Sequence, residues 1–262
     1  MIVLATYNIK GGVGKTAAAV NLSWLASRAG LRTLVWDLDP QGAATFYFRI
    51  EAEPTSDASA LLDKKRGLGA AIRSTDYPRL DMIPASLGLR HLDLELSEFK
   101  KPTERLQKLL AGLAPDYDVV FLDCAPNLSL VSENIFGMAD WLVVPLIPTP
   151  LSLRAYTQLK SFCETEGLDA SKLLPFFSMV DRRRQLHCEL VQRFATEHAE
   201  LLRSFVPYTS LVERMGEERA PVGTFAAGSP GARAFEALWK ACATRIGLVE
   251  PEAAPDPARP PA

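Results

Sequence analysis

Apolar positions along the chain gather into short unbroken runs, and longer amphipathic stretches separate them. Residues 2–6, 33–36, 80–84, 118–122, 141–147 and 173–180 have strand length and are rich in Val, Ile, Leu and Phe. The runs at 118–122 and 141–147 show no in–out alternation, the pattern of strands buried on both faces of a parallel sheet. Helical periodicity fills the gaps at 17–29, 87–99, 103–113, 129–138, 152–166, 185–204 and 231–246. Gly30 stands where the first helix needs a C-terminal stop. The stretch 51–77 is polar and less regular, read as short helices and loops. Strand-then-helix alternation of this kind predicts an α/β fold, a mostly parallel sheet with helices on both faces. No internal repeat or linker breaks it, so 1–249 reads as one domain. The Pro/Ala-rich residues 250–262 read as a disordered extension.

Composition narrows the class. At 48% hydrophobic and 23% charged, the 262 residues are those of a globular chain. The longest apolar run falls well short of the roughly 20 residues that cross a bilayer, and no basic leader precedes residue 2. A protein without membrane insertion, in the cytoplasm, is expected. Cys124, Cys163, Cys188 and Cys242 show no C-x-x-C spacing, and His91, His187 and His198 show no ligand spacing. A net charge of -2 gives no bulk attraction to nucleic acid, so any such site must be a local patch.

The chemistry concentrates in Lys10-Gly11-Gly12-Val13-Gly14-Lys15-Thr16, between the first strand and the first helix. Glycines let successive N–H groups turn inward on a phosphate chain, and the helix N-terminus adds its positive end. Lys15 would neutralise β and γ phosphates, and the Thr16 hydroxyl would ligate Mg²⁺. Ala17 continues the cradle into the helix. The pattern G-x-x-x-x-G-K-[ST] is not strictly met, because Ile9 holds the place of its first glycine. A glycine turn that only joins strand to helix is the alternative reading. Asp123 closes the run 119–122, where an acid can hold magnesium through water. Asp37 and Asp39 flank Leu38 and fall on one side of an extended chain, at the sheet edge where α/β ligands bind. An ordinary Asp-x-Asp-Pro turn is the other reading of that segment.

Together, Lys10 to Thr16, Trp-Asp-Leu-Asp-Pro-Gln-Gly-Ala-Ala-Thr at 36–45 and Tyr-Asp-Val-Val-Phe-Leu-Asp-Cys-Ala-Pro at 117–126 resemble the ParA/MinD-type ATPases. These are P-loop NTPases with a deviant Walker A motif (SIMIBI-like), and Asp-Leu-Asp-Pro-Gln-Gly points to the ParA branch. The resemblance spans roughly 1–247 and loosens after Asp181. It implies ATP and Mg²⁺ as cofactors and an ATP-bound homodimer in which Lys10 reaches the partner subunit's phosphates. It also implies Asp39 as the residue that places the attacking water and helps at the metal, Asp123 as the Walker B acid, and Pro207 near the nucleotide. Slow hydrolysis stimulated by an adaptor protein is implied, in a switch that partitions or positions DNA or a protein assembly. A metabolic P-loop kinase or ligase is the alternative.

Family members that segregate DNA bind it non-specifically, placing the protein on the nucleoid. Their usual Pro-Arg-Asn-Val-Arg is Pro207-Tyr208-Thr209-Ser210-Leu211 here, with both arginines absent. Residues 179–249 hold ten Lys/Arg against eight Asp/Glu, nearly balanced. Arg182, Arg183 and Arg184, with Arg214 beside them, are the local exception and the candidate phosphate contacts; a solvated helix start is the other reading. No appended helix-turn-helix and no basic membrane helix is expected at the termini.

Overall fold

The computed structural model describes residues 1–51, 61–62 and 68–248. Eight strands form one sheet in the order β3-β4-β2-β5-β1-β6-β7-β8. They are β1 Ile2–Thr6, β2 Thr33–Asp37, β3 Arg73–Ser74, β4 Leu80–Ile83, β5 Val119–Asp123, β6 Trp141–Leu146, β7 Leu173–Val180 and β8 Phe205–Pro207. All pairings are parallel except β3 with β4. The apolar runs without alternation are the central strands, and β2 and β5 are buried at every position. Both faces are covered, as that composition demands. On one, Ala5, Trp36 and Leu122 pack under helices Leu130–Met138 and Pro150–Thr165. On the other, Leu4, Val35 and Phe121 pack under helix Lys15–Arg28 (α1) and helix Pro230–Arg245.

Helix α1 begins at Lys15, two residues before the sequence pattern predicts, because Gly14 caps it in the left-handed region at φ 94°. This puts Lys15 and Thr16 in its first turn, where N–H groups are unpaired. It ends as expected: Gly30, at φ 92°, follows and donates to the Ser27 carbonyl.

Two larger departures from the sequence reading concern whole helices. The helix expected over 185–204 stops at Glu197. The chain then buries Leu201 and Leu202, the latter donating its N–H to the Pro175 carbonyl, and pairs β8 with β7. Burial of two leucines outweighs continuation of the helix. The second is a five-residue helix, Ala43–Tyr47 (α2), that follows the Asp39 loop and was not legible as a periodic segment. Much of 51–77 and the extension at 250–262 lie outside the described residues. No helix among the described residues is long and apolar enough to cross a membrane.

Candidate functional site

Strand order places β1 between β5 and β6, so the loop after Thr6 emerges at the middle of the sheet's C-terminal edge. Asn8 pins it at its start. Its Nδ2 donates to the Pro145 carbonyl at the end of β6 (2.8 Å), and its Oδ1 accepts the Lys10 N–H (2.9 Å). Gly12 and Gly14 take φ of 68° and 94°, and a Cβ on Gly14 would stand 2.9 Å from the Ser178 hydroxyl. Glycine is required there by conformation and by space. Gly11 and Gly12 are exposed, Val13 is buried, and Lys10, Thr16 and Ala17 are half-buried.

Lys15 is 7% exposed, yet its ammonium has only a long 3.5 Å contact to the Lys10 carbonyl. Burial pulls its pKa down, while Asp123, Cys124 and Asp39 push it back up. A buried ammonium with so little compensation favours an anion among its neighbours.

The acids lie beside it. Thr6, Asp123 and Asp37 are register partners at the ends of β1, β5 and β2. Asp37 and Asp123 are both fully buried. Asp37 Oδ2 accepts the Thr45 N–H (2.9 Å) and the Thr45 hydroxyl (2.7 Å), and its Oδ1 accepts the Asp39 N–H (3.2 Å). Thr45 in turn accepts the Ala85 N–H (2.8 Å). Asp123 Oδ1 accepts the Thr6 hydroxyl (3.3 Å), and its Oδ2 is buried without a partner. Burial is the main cause that lifts both carboxyls, Asp37 to about 6 and Asp123 well above the usual range; the charges of Asp37 and Asp39 raise Asp123 further, and that of Asp39 raises Asp37. Thr16 and Lys15 pull Asp123 partly back. An orphaned buried carboxylate oxygen next to a like charge is the donor set a divalent cation satisfies, so magnesium fits this corner. Among the described residues no group of three or more His, Cys, Asp or Glu could hold an ion unaided.

Strand β2 ends at Asp37, so the period-two geometry expected of Asp37 and Asp39 does not run on. Asp39 sits in a tight turn instead, half-exposed, its Oδ1 accepting the Gln41 N–H (2.9 Å) and its carbonyl accepting the Gly42 N–H. The sequence places Asp37 with Asp39 at the ligand edge of the sheet; the structure pairs it with Asp123 instead. The available signal was that Leu-Val-Trp-Asp and Val-Phe-Leu-Asp each close a buried strand on an acid.

A narrow cavity of about 50 Å³ adjoins the loop, lined by Gly14, Ala17, Phe176, Met179, Pro207 and Val212 among others. Met179, at φ 55°, lies at the irregularity in the β7–β8 register. Pro207 lines this cavity together with Gly14 of the loop. The arginines are less coherent. Asp181 holds Arg183 by two hydrogen bonds (2.9 and 3.0 Å), and Glu218 holds Arg214 at 2.6 Å. Arg182 lies over the Phe205 ring at 4.9 Å, and Arg184 precedes helix Gln185–Glu197.

The sequence signature of the AAA domain family matches residues 1–168. Soj, the chromosome-partitioning ATPase of Treponema pallidum, is 29% identical across 93% of this chain and 98% of its own. The chromosome partitioning protein ParA of Caulobacter vibrioides is 33% identical across 70% of this chain and 72% of its own. A solved structure of cobyrinic acid a,c-diamide synthase from Mycobacterium smegmatis, with bound ADP and magnesium, superposes with a TM-score of 0.78. It is 25% identical, and the match covers 94% of this chain and 96% of that one.

Proposed function

The chain belongs to the AAA domain family and, within it, to the ParA-type P-loop ATPases, and from that premise we propose an ATP-driven switch that positions a cargo. The cargo class is plasmid or chromosomal DNA, or a protein assembly. The observation that carries the reading is the corner where Lys15, Thr16 and the acid pair Asp37/Asp123 meet the glycine loop. A ligand that brings both phosphate charge for Lys15 and a cation for Asp123 relieves both burials at once, and Mg²⁺-ATP does so.

In this reading the N–H groups from Gly11 to Ala17 and the Lys15 ammonium hold the phosphates. Thr16 and Asp123, the latter with its unpartnered Oδ2, would hold magnesium, which would supply charge neutralisation for the phosphates. Asp39, half-exposed and held by the Gln41 N–H, is the carboxylate placed to orient a water. Lys10, half-buried at the mouth of the loop, is free to serve a second copy's phosphates, which supports a homodimer formed on ATP. Slow turnover stimulated by an adaptor protein fits a site in which one subunit's residues are incomplete alone.

Sedimentation with Mg²⁺ and a non-hydrolysable ATP analogue tests the switch. Wild type should pass from monomer to dimer. Lys15→Ala should bind no nucleotide, whereas Lys10→Ala should bind it and remain monomeric. Asp39→Ala should dimerise yet lose hydrolysis by about a hundredfold, the scale of an oriented general base or water. A wild-type chain that stays monomeric with the analogue sinks the dimer. The diamide synthase likeness marks the competing class, a ligase. Turnover that depended on a small carboxylic acid and ammonia donor would favour it.

A further inference from the structure

Helix α2 carries Thr45, the residue that makes both hydrogen bonds to Asp37 Oδ2. It also follows the Gly42 turn that closes the Asp39 loop. A helix of five residues has no stability of its own, so its position is set by what it packs on. Ala44 and Phe48 are buried on the α1 side of the sheet. Ala85 donates its N–H to the Thr45 hydroxyl, and a residue far along the chain holds α2 from a further side. The Nε–H of Arg219 donates to the Phe46 carbonyl at 3.0 Å, and its guanidinium lies over the Phe46 ring at 4.6 Å.

Arg219 makes this contact from a strained backbone, at φ 47° and ψ 54°. A non-glycine residue in the left-handed region is strained, and it persists only where the surroundings over-determine it. Arg219 also belongs to the segment that lines the narrow cavity beside the phosphate loop. Thr209, Val212 and Glu213 line that cavity. Met215 accepts a hydrogen bond from Asn21 of α1, whose Oδ1 also takes the Val222 N–H. The segment from 209 to 222 is thus fastened to α1, and Arg219 extends that fastening to α2. Arg214, by contrast, is paired with Glu217 and Glu218.

We propose that Arg219 is a positioning residue for hydrolysis: it clamps α2 to the 209–222 segment, so that Thr45 holds Asp37 and the Gly42 turn holds Asp39 beside the phosphate loop. The kinetic part of this proposal rests on the ATPase reading above; the clamp itself does not.

Arg219→Gly is the decisive variant, because it removes the guanidinium and relieves the backbone together. Its Tm should equal or exceed that of wild type. Amide hydrogen exchange at residues 45–48 should nevertheless quicken, with the strands unchanged. The kcat for ATP should fall about tenfold with KM changed by less than about twofold, as displacement of a reacting group rather than lost binding gives. Arg219→Lys, which restores a donor without the planar ring contact, should recover part of the loss. Wild-type exchange at 45–48 in Arg219→Gly overturns the clamp. Wild-type kcat, or a rise in KM that accounts for the whole loss of kcat/KM, overturns its role in hydrolysis. A wild-type protein that hydrolyses no ATP would instead refute the ATPase reading, and exchange alone would then decide the clamp.

Discussion

Asp37 is the residue whose surroundings say most about the site. Its carboxyl is lifted to about 6 by burial, against three hydrogen bonds from Thr45 and Asp39 that lower it. A raised folded-state value means that the folded chain binds the proton more tightly than the unfolded one. Its contribution to stability is therefore present near pH 4, declines as pH rises toward about 6, and is constant above. Asp118 and Asp181 have the opposite sign, held near 2 by Arg32 and Arg183, and act below that window. His187, lowered by burial and Arg184, also opposes it. Comparison with Asp37→Asn isolates the acid. The difference in apo Tm, variant minus wild type, should grow from near zero at pH 4.5 to about 5 °C at pH 7.5. Mg²⁺-ATP should reverse its sign at pH 7.5, since the variant loses a charge that favours the cation. Equal Tm profiles from pH 4.5 to 7.5 would show that Asp37 bears no such burden.

At the scale of elements, the loop–helix unit from Thr6 to Arg28 was legible almost to the residue, because its signals are local. An apolar run, glycines at the turns and Gly30 at the exit are all read within a few positions of where they act. Helix α2 was not legible, since five residues carry no period and its place depends on Arg219 and Ala85. The early stop of helix Gln185–Glu197 was hidden for the same reason: Leu201 and Leu202 fit a helical pattern and are claimed instead by the sheet. Gly14 is held at its turn by both conformation and space. Alanine there meets both the left-handed φ and the Ser178 hydroxyl, which should lower Tm by about 5 °C. Adding Ser178→Ala should return the part due to crowding and leave the part due to φ. Full recovery in the double variant would mean that conformation costs nothing at this position.

For the whole molecule, the charge question turns on pairing more than on composition. Sequence alone groups Arg182, Arg183, Arg184 and Arg214, but Asp181 and Glu218 hold two of them. If duplex DNA is the track, Arg182→Ala and Arg184→Ala should each reduce the salt slope of log K by about 0.9, one phosphate contact apiece. Arg183→Ala and Arg214→Ala should change it less. Gel shifts across a salt series, with and without ATP, measure this, and equal effects at all four positions would contradict the paired geometry. Two patches joined in one ATP-bound dimer should bind far more tightly than one.

The strand order has a further consequence, in time rather than space. β1 is made first, yet its two sheet neighbours are β5 and β6, so Ile2 pairs with Val119 and Leu4 with Trp141. The phosphate loop therefore has no floor while the ribosome is still adding the residues in between. Its geometry arrives late and all at once, with the closure of two long chain segments whose entropy must first be surmounted. A chain released before β6 would hold the Gly-Lys-Thr sequence intact and have nowhere to put a phosphate. Competence to bind nucleotide is in this sense a report that the sheet has closed.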